Sequence, residues 1–340
     1  MEEKNNSKLP SRKRKMIWIV YVVVIICVLV IWIFRGKQKW SGLEKNLWMW
    51  FTNPILDTEV GDKLVANKNI NLEYYLEDYE NAKRAAGDIS ELSVYFRNLN
   101  NGNRFWTDEK ELFSPASLMK LPLLLAYFKK EERDNGFLET KVTFTINWTS
   151  DDYKQNIIPD KRLKAGQQYK IIDIINQMIL YSDNEASIFL EKNIDESEFR
   201  KVFTDIWIEF PPINDWNFDN NIRVVDYASF FRVLFNSSYL NRENSEKVLN
   251  ILTKTRFKDG LVAGIDNDDI VISHKFGERS IFGNNGIERK QLHDCWIVYY
   301  PWHPYVLCIM TRWYDRDKLK WVLQEVSSIV FQRVDEAYRS

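Results

Sequence analysis

Cysteine and histidine are scarce in this chain, with three of each among 340 residues. There is no charge surplus either, since 47 basic and 48 acidic residues leave a formal net charge of -1. Only Cys295 and Cys308 fall outside a long apolar run, and His274, His293 and His303 show no ligand spacing to them. That excludes a zinc site, and no metal or other cofactor is expected. Balanced charge excludes a global attraction to nucleic acid or to an acidic partner, so charge acts only locally. Internal repeats and low-complexity tracts are also lacking. What remains, 45% hydrophobic and 14% aromatic residues, is enough to bury a sizeable core as one large domain or two lobes.

From Met16 to Phe34 the run MIWIVYVVVIICVLVIWIF holds 19 residues without a charge. That is close to the roughly 20 a helix needs to span a hydrocarbon core, so a transmembrane anchor is expected. Lys8, Arg12, Lys13, Arg14 and Lys15 precede it and keep a basic tail, residues 1–15, in the cytoplasm, although Arg35, Lys37 and Lys39 weaken the asymmetry. The rest of the chain is then extracytoplasmic, making a single-pass protein of the cell membrane. A cleaved signal peptide is the rival, but no small-x-small site follows and Trp32 and Phe34 are bulky. Cys27 reads as a membrane-buried thiol.

Residues 35–70 carry Trp40, Trp48, Trp50 and Phe51 among lysines and form either an amphipathic stalk or a loop packed on the domain. A helix is expected over Leu72–Ala86, stopped by Gly87. Strand-like runs Leu92–Leu99 and Arg104–Thr107 flank Asn101-Gly102, a strong hairpin signal. A second hairpin is expected from Cys295–Tyr300 and Tyr305–Tyr314. It brings Cys295 and Cys308 to one face, not necessarily opposite each other, so a disulfide is allowed but not required. A last helix, capped by Asp315, runs from about Arg316 to Ala337. The middle, about 115–254, is mostly helical. Strands at both ends around a helical middle predict one antiparallel sheet built from both ends, flanked by the terminal helices, with an inserted all-helical lobe.

Three short motifs stand in order along this frame. In the first, Ser117-Leu118-Met119-Lys120, the serine falls near the start of a helix that continues through LMKLPLLLAYFKK. Lys120 lies one turn on, on the same face, within hydrogen-bond reach of the hydroxyl. A serine hydroxyl is a weak nucleophile until a base takes its proton, and a lysine serves once burial and neighbouring cations lower its pKa. The helix N-terminus favours negative charge developing nearby. Pro122 is expected to kink this helix or remove a backbone bond. The second motif, Ser182-Asp183-Asn184, interrupts an apolar helix that contains Ile171, Ile174, Ile175, Met178 and Ile179, and a new helix starts at about Glu185. Ser, Asp and Asn are all favoured helix caps, and a capped break presents side chains rigidly. The third, Lys275-Phe276-Gly277, lies in the strand-like run VISHKFGERS.

A serine-x-x-lysine pair arises by chance, whereas the ordered set of three is much rarer. The set resembles the active-site signature of the penicillin-recognising serine enzymes, the class A β-lactamases and penicillin-binding proteins. The order of elements resembles their fold over about residues 70 to 338. The resemblance implies an α+β domain of the β-lactamase/transpeptidase type over 71–340. Its activity would be serine hydrolysis of a β-lactam or a peptidoglycan-derived D-alanyl amide through an acyl-enzyme on Ser117. Lys120 would be the base and Ser182 the proton relay to the leaving nitrogen, with Asn184 binding the acyl-amide and Asp183 bracing the loop. Lys275 would attract a substrate carboxylate, and Gly277 would let substrate approach the backbone. The N–H of Glu278 would join that of Ser117 in an oxyanion hole. Tyr153 would stand at the pocket mouth, or in the core.

Two positions depart from the pattern. Phe276 stands where the family has a threonine or serine, so one hydroxyl contact to a carboxylate is missing. Arg279, two residues past Gly277, is a candidate replacement, and core packing is the simpler account of Phe276. The family's deacylating glutamate, with asparagine four residues later, has no clean counterpart. The nearest is Glu209 in IEFPPIND, with Asn214 one position too far, and a surface acid explains it more simply. Acylation without a positioned base for the second step points to a penicillin-binding, D-alanyl-D-alanine carboxypeptidase-like enzyme as an alternative. A non-catalytic peptidoglycan-binding module that keeps the fold is the rival from another class.

Overall fold

The computed structural model describes residues 51–53, 72–145, 157, 159–160, 162–210, 222–282 and 287–339. The expected anchor Met16–Phe34, Tyr153 and Asn214 lie outside the described residues. Among the described residues no helix is long and apolar enough to cross a membrane.

Helix α1 (Leu72–Ala86) leads into strands β1 (Glu91–Asn98) and β2 (Arg104–Trp106), and the chain then leaves the sheet. The lobe that follows holds α2 (Lys120–Arg133), a short ribbon of β3 (Lys141–Thr143) and β4 (Gln168–Lys170), and α3 (Ile171–Leu180). It continues with α4 (Asn184–Lys192), α5 (Glu196–Asp205), α6 (Val224–Phe235) and α7 (Arg242–Thr253). The chain returns through β5 (Ile272–Phe282), β6 (Glu288–Val298) and β7 (Tyr305–Trp313) and ends in α8 (Arg316–Tyr338). The five long strands form one antiparallel sheet in the order β2-β1-β7-β6-β5, so both ends of the chain build it, as the pattern predicts.

Each face of the sheet buries its own core. Val306, Cys308 and Met310 of β7 face the helical lobe, while Tyr305, Leu307 and Ile309 face the terminal helices. Helix α8 answers with Leu319, Val322, Leu323, Val326 and Val330 at three- and four-residue spacing, and the Asp315 carboxylate accepts from the Asp317 and Lys318 N–H groups at its start. Cys295 and Cys308 sit directly opposite each other across β6 and β7 and are joined by a disulfide. Part of the stretch 35–70 is packed on the lobe: the buried Glu246 carboxylate accepts from the Phe51 and Thr52 N–H groups and the Thr52 hydroxyl at 2.7–3.0 Å. The two hairpins differ from expectation mainly in length, because β6 begins seven residues earlier, at Glu288.

Candidate active site

Ser117 lies on a 3₁₀ turn, Ala116–Met119, immediately before α2. The turn is fixed from several sides. Buried Tyr227 donates its hydroxyl to the Leu118 carbonyl at 3.0 Å, and Ala116 is held at φ 47°. A non-glycine residue in the left-handed region costs of order 1–3 kcal/mol, strain of the kind that clusters at active sites. Pro122 neither kinks nor breaks α2, correcting the expectation. The helix starts only at Lys120, so Pro122 falls in its first turn, where the missing N–H has no intrahelical partner anyway.

Lys120 is buried, and its ammonium donates to Ser117 Oγ at 2.9 Å, the Ser182 carbonyl at 2.5 Å and Asn184 Oδ1 at 2.7 Å, with Ser182 Oγ at 3.2 Å. Burial lowers its pKa to about 8, against the opposing pull of Asp183, Glu191 and Glu278. At pH 7 roughly a tenth is then neutral and able to accept a proton. Asp183 caps α4, accepting from the Ala186 N–H at 2.9 Å, which starts the helix one residue earlier than expected. Ser182 just before it has φ 55° and is buried. Its hydroxyl oxygen takes donors from both Lys120 and, at 3.0 Å, Lys275. With both lone pairs used, its O–H proton is left for a third partner.

Strand β5 brings the third motif to the same place. Lys275 is fully buried, and its ammonium also donates to the Phe276 carbonyl at 2.7 Å. Burial, and then the neighbouring Lys120 ammonium, hold its pKa well below the usual lysine range. Phe276 is buried, stacked on Phe257 with ring centres 4.2 Å apart, as core packing predicts. Gly277 is required by contact with the chain itself. A Cβ there would stand 2.9 Å from Leu118 Cγ, 3.0 Å from the Pro115 carbonyl and 3.1 Å from the Leu118 nitrogen. The β5 backbone therefore lies directly against the Ser117 turn. Glu278 is ion-paired with Arg316 at 2.7 Å. Arg279 donates to Ser114 Oγ at 3.3 Å, so it reaches the segment just before Ser117. Glu209 is an exposed side chain in the irregular segment after α5, as a surface acid would be.

Three contributors escaped the sequence pattern. Gln291 and His293 of β6 hold Ser114 by both backbone groups: Ser114 N–H donates to Gln291 Oε1 at 2.9 Å, and His293 Nε2 lies 3.1 Å from the Ser114 carbonyl. The Thr311 N–H donates to His293 Nδ1 at 3.2 Å, which places the ring proton on Nε2. Burial pushes the His293 pKa down to about 3, so the ring stays neutral. The third is Glu191, two turns past Asn184 on α4, which accepts from Ser187 Oγ at 3.4 Å. Burial raises its pKa to about 7, opposed by Lys120. Asn184, Ser187 and Glu191 recur at helical spacing between apolar neighbours, a signal that was readable but carried no motif.

A serine hydroxyl with a buried lysine beside it, at the seam between a helical lobe and an antiparallel sheet, is the arrangement that serine acyl transfer requires. The sequence profile of the beta-lactamase enzyme family matches residues 72–334. The chain belongs to that family and so to the serine hydrolases. Its fold is similar to that of a point mutant of PBP-A, solved as its acyl-enzyme with penicillin G, at 22% identity and a TM-score of 0.64 over 78% of this chain and 97% of that one. It is also similar to the TLA-3 extended-spectrum beta-lactamase, at 16% identity and a TM-score of 0.65 over 76% and 98%. A beta-lactamase from Chitinophaga pinensis gives 14% and 0.64 over 76% and 99%. At these identities the likeness is one of fold. No curated protein matches the sequence.

Proposed function

We propose that this protein is a membrane-anchored, extracytoplasmic serine hydrolase that opens a β-lactam or a cell-wall-like peptide amide through an acyl-enzyme on Ser117. The observation that carries the reading is the 2.9 Å contact between Lys120 and Ser117 Oγ, made by a lysine whose pKa is lowered to about 8. Neutral Lys120 takes the Ser117 proton as Oγ attacks the carbonyl carbon. The N–H groups of Ser117 and Glu278 receive the developing oxyanion. The carbon–nitrogen bond then breaks, an ester to Oγ remains, and Ser182 passes a proton to the leaving nitrogen, with Lys120 replenishing it. Asn184, already held by Lys120, is placed to bond the acyl-amide. The reaction needs no cofactor.

The extracytoplasmic placement rests on the apolar run Met16–Phe34, and the Cys295–Cys308 disulfide supports it, because disulfides persist in oxidising compartments. Exposed Glu209 favours the penicillin-binding variant of this reading, in which the ester is hydrolysed slowly. The test is the intact mass of the protein after timed exposure to a penicillin, beside Ser117→Ala, while loss of the antibiotic is followed. A lasting Ser117-dependent adduct is expected. Rapid antibiotic loss would instead mark an efficient β-lactamase. Neither adduct nor loss from folded protein would leave the non-catalytic binding module.

A further inference from the structure

The edge of β5 beside Ser182 offers an incoming anion little to bind. Lys275 is the cation placed there, and an ammonium has three hydrogens. Ser182 Oγ at 3.0 Å and the Phe276 carbonyl at 2.7 Å take two of them, and the same nitrogen lies 4.2 Å from the centre of the Phe276 ring. Its surroundings are therefore satisfied from within the protein. The side chain is fully buried, so a substrate group would have to displace one of these partners to reach it. Phe276 contributes no hydroxyl, and its ring, buried against Phe257, covers a side of the Lys275 ammonium instead. Two residues on, Glu278 is paired with Arg316, so those two charges offset each other, and Arg279 is held on Ser114. Lys120 is committed to Ser117, Ser182 and Asn184. A carboxylate brought here would lose its hydration without gaining matching donors.

From this arrangement we propose that the site takes acyl donors with no carboxylate beside the scissile bond, neutral amides or esters, and that Phe276 is the residue that sets this preference. The inference rests on the Ser117 acylation proposed above and narrows its substrate class. An uncharged donor asks for no cationic partner at Lys275, while Ser117, Lys120 and Ser182 act on it unchanged.

The test compares benzylpenicillin with its methyl ester, which differ only in the carboxylate, on the full chain in detergent micelles. Timed intact masses give the two acylation rates. The ester is expected to react at least as fast as the acid. Phe276→Thr, which returns a hydroxyl to the edge, is expected to move the rate ratio towards the acid by ~10-fold or more, the worth of one hydrogen bond to a charged group. A wild-type preference for the acid of that size overturns the proposal, and so does an unmoved ratio in folded Phe276→Thr. Because that variant removes a buried ring and can fail to fold, Ser117→Ala is also titrated with both probes by ligand-observed NMR. Ester binding at least as tight as acid binding, with no adduct on the wild type, would sink the acyl-enzyme and keep this inference. Tighter binding of the acid overturns it, and binding of neither probe overturns both.

Discussion

Two helix starts and one strand edge meet at this site, and they differ in how closely they keep to the family pattern. At the helix starts, Ser117 and Lys120 before and in α2, and Ser182, Asp183 and Asn184 before and in α4, carry every expected residue type and interlock at 2.5–3.2 Å. The strand edge keeps Lys275 and Gly277 but exchanges a hydroxyl for the Phe276 ring. In the proposed mechanism the helix starts hold the nucleophile, base and relay, and the edge meets the rest of the substrate. On that reading the difference separates bond-breaking chemistry, whose residue types are kept, from substrate recognition, whose residue types are altered.

The comparison can be broken from the helix side first. Lys120→Met removes the base and is expected to slow acylation by 10²–10⁴, the usual worth of general base catalysis, and by the same factor for the acid and ester probes. A loss confined to one probe would mean that Lys120 serves recognition and would erase the distinction. Rates from timed intact masses on both probes decide it.

A smaller effect is expected on the strand side, and it concerns stability. His293 has a folded pKa of about 3 against an ordinary value of 6.5. Between those values the unfolded chain binds a proton that the folded chain does not, so stability is full above pH 6.5 and is lost as pH falls. The slope is about 1.4 kcal/mol per pH unit. Glu191, raised to about 7 in the folded chain, contributes the opposite slope between its ordinary value and pH 7, so the His293 part is read as the difference between the wild type and His293→Gln: in urea titrations at pH 6, 5 and 4 the wild type is expected to lose more stability as pH falls, by an amount approaching this slope. An unchanged slope would mean that this histidine does not hold the Ser114 turn in neutral form.

Smallest is the effect of Glu191. Its negative charge raises the Lys120 pKa, so Glu191→Gln lowers that pKa and moves the acidic limb of the acylation profile to lower pH. In the wild type that limb should fall near pH 8. The displacement is expected to be under about one unit, since the two groups interact without contact. A limb that moves up, or stays put, would remove Glu191 from the site's electrostatics.

How much was legible follows the same divide. Helices α1 and α8 were readable because apolar residues recur at helical spacing between a cap and a stop. The helix-start motifs were readable because their chemistry is local in sequence, three residues wide. The strand side was not. In β6 the run Glu288–Asp294 is mostly polar, so it gave no strand signal, and the buried Gln291 and His293 find partners on Ser114 and, for His293, on Thr311, both distant in sequence. The Cys295–Cys308 register depends on where the β6–β7 turn closes, which spacing alone left open. Gly277 was foreseen as room for substrate, whereas the Pro115 carbonyl and Leu118 occupy the space over it.

The most direct test of the central claim is to expose the full chain to benzylpenicillin and its methyl ester, digest with trypsin and fragment the peptide Glu111–Lys120. That peptide carries both Ser114 and Ser117. Fragment masses that place the acyl group on Ser117, and none on Ser114 or elsewhere, are the predicted result. An adduct on another residue, or an unmodified peptide from folded protein after exposure to both probes, would contradict it.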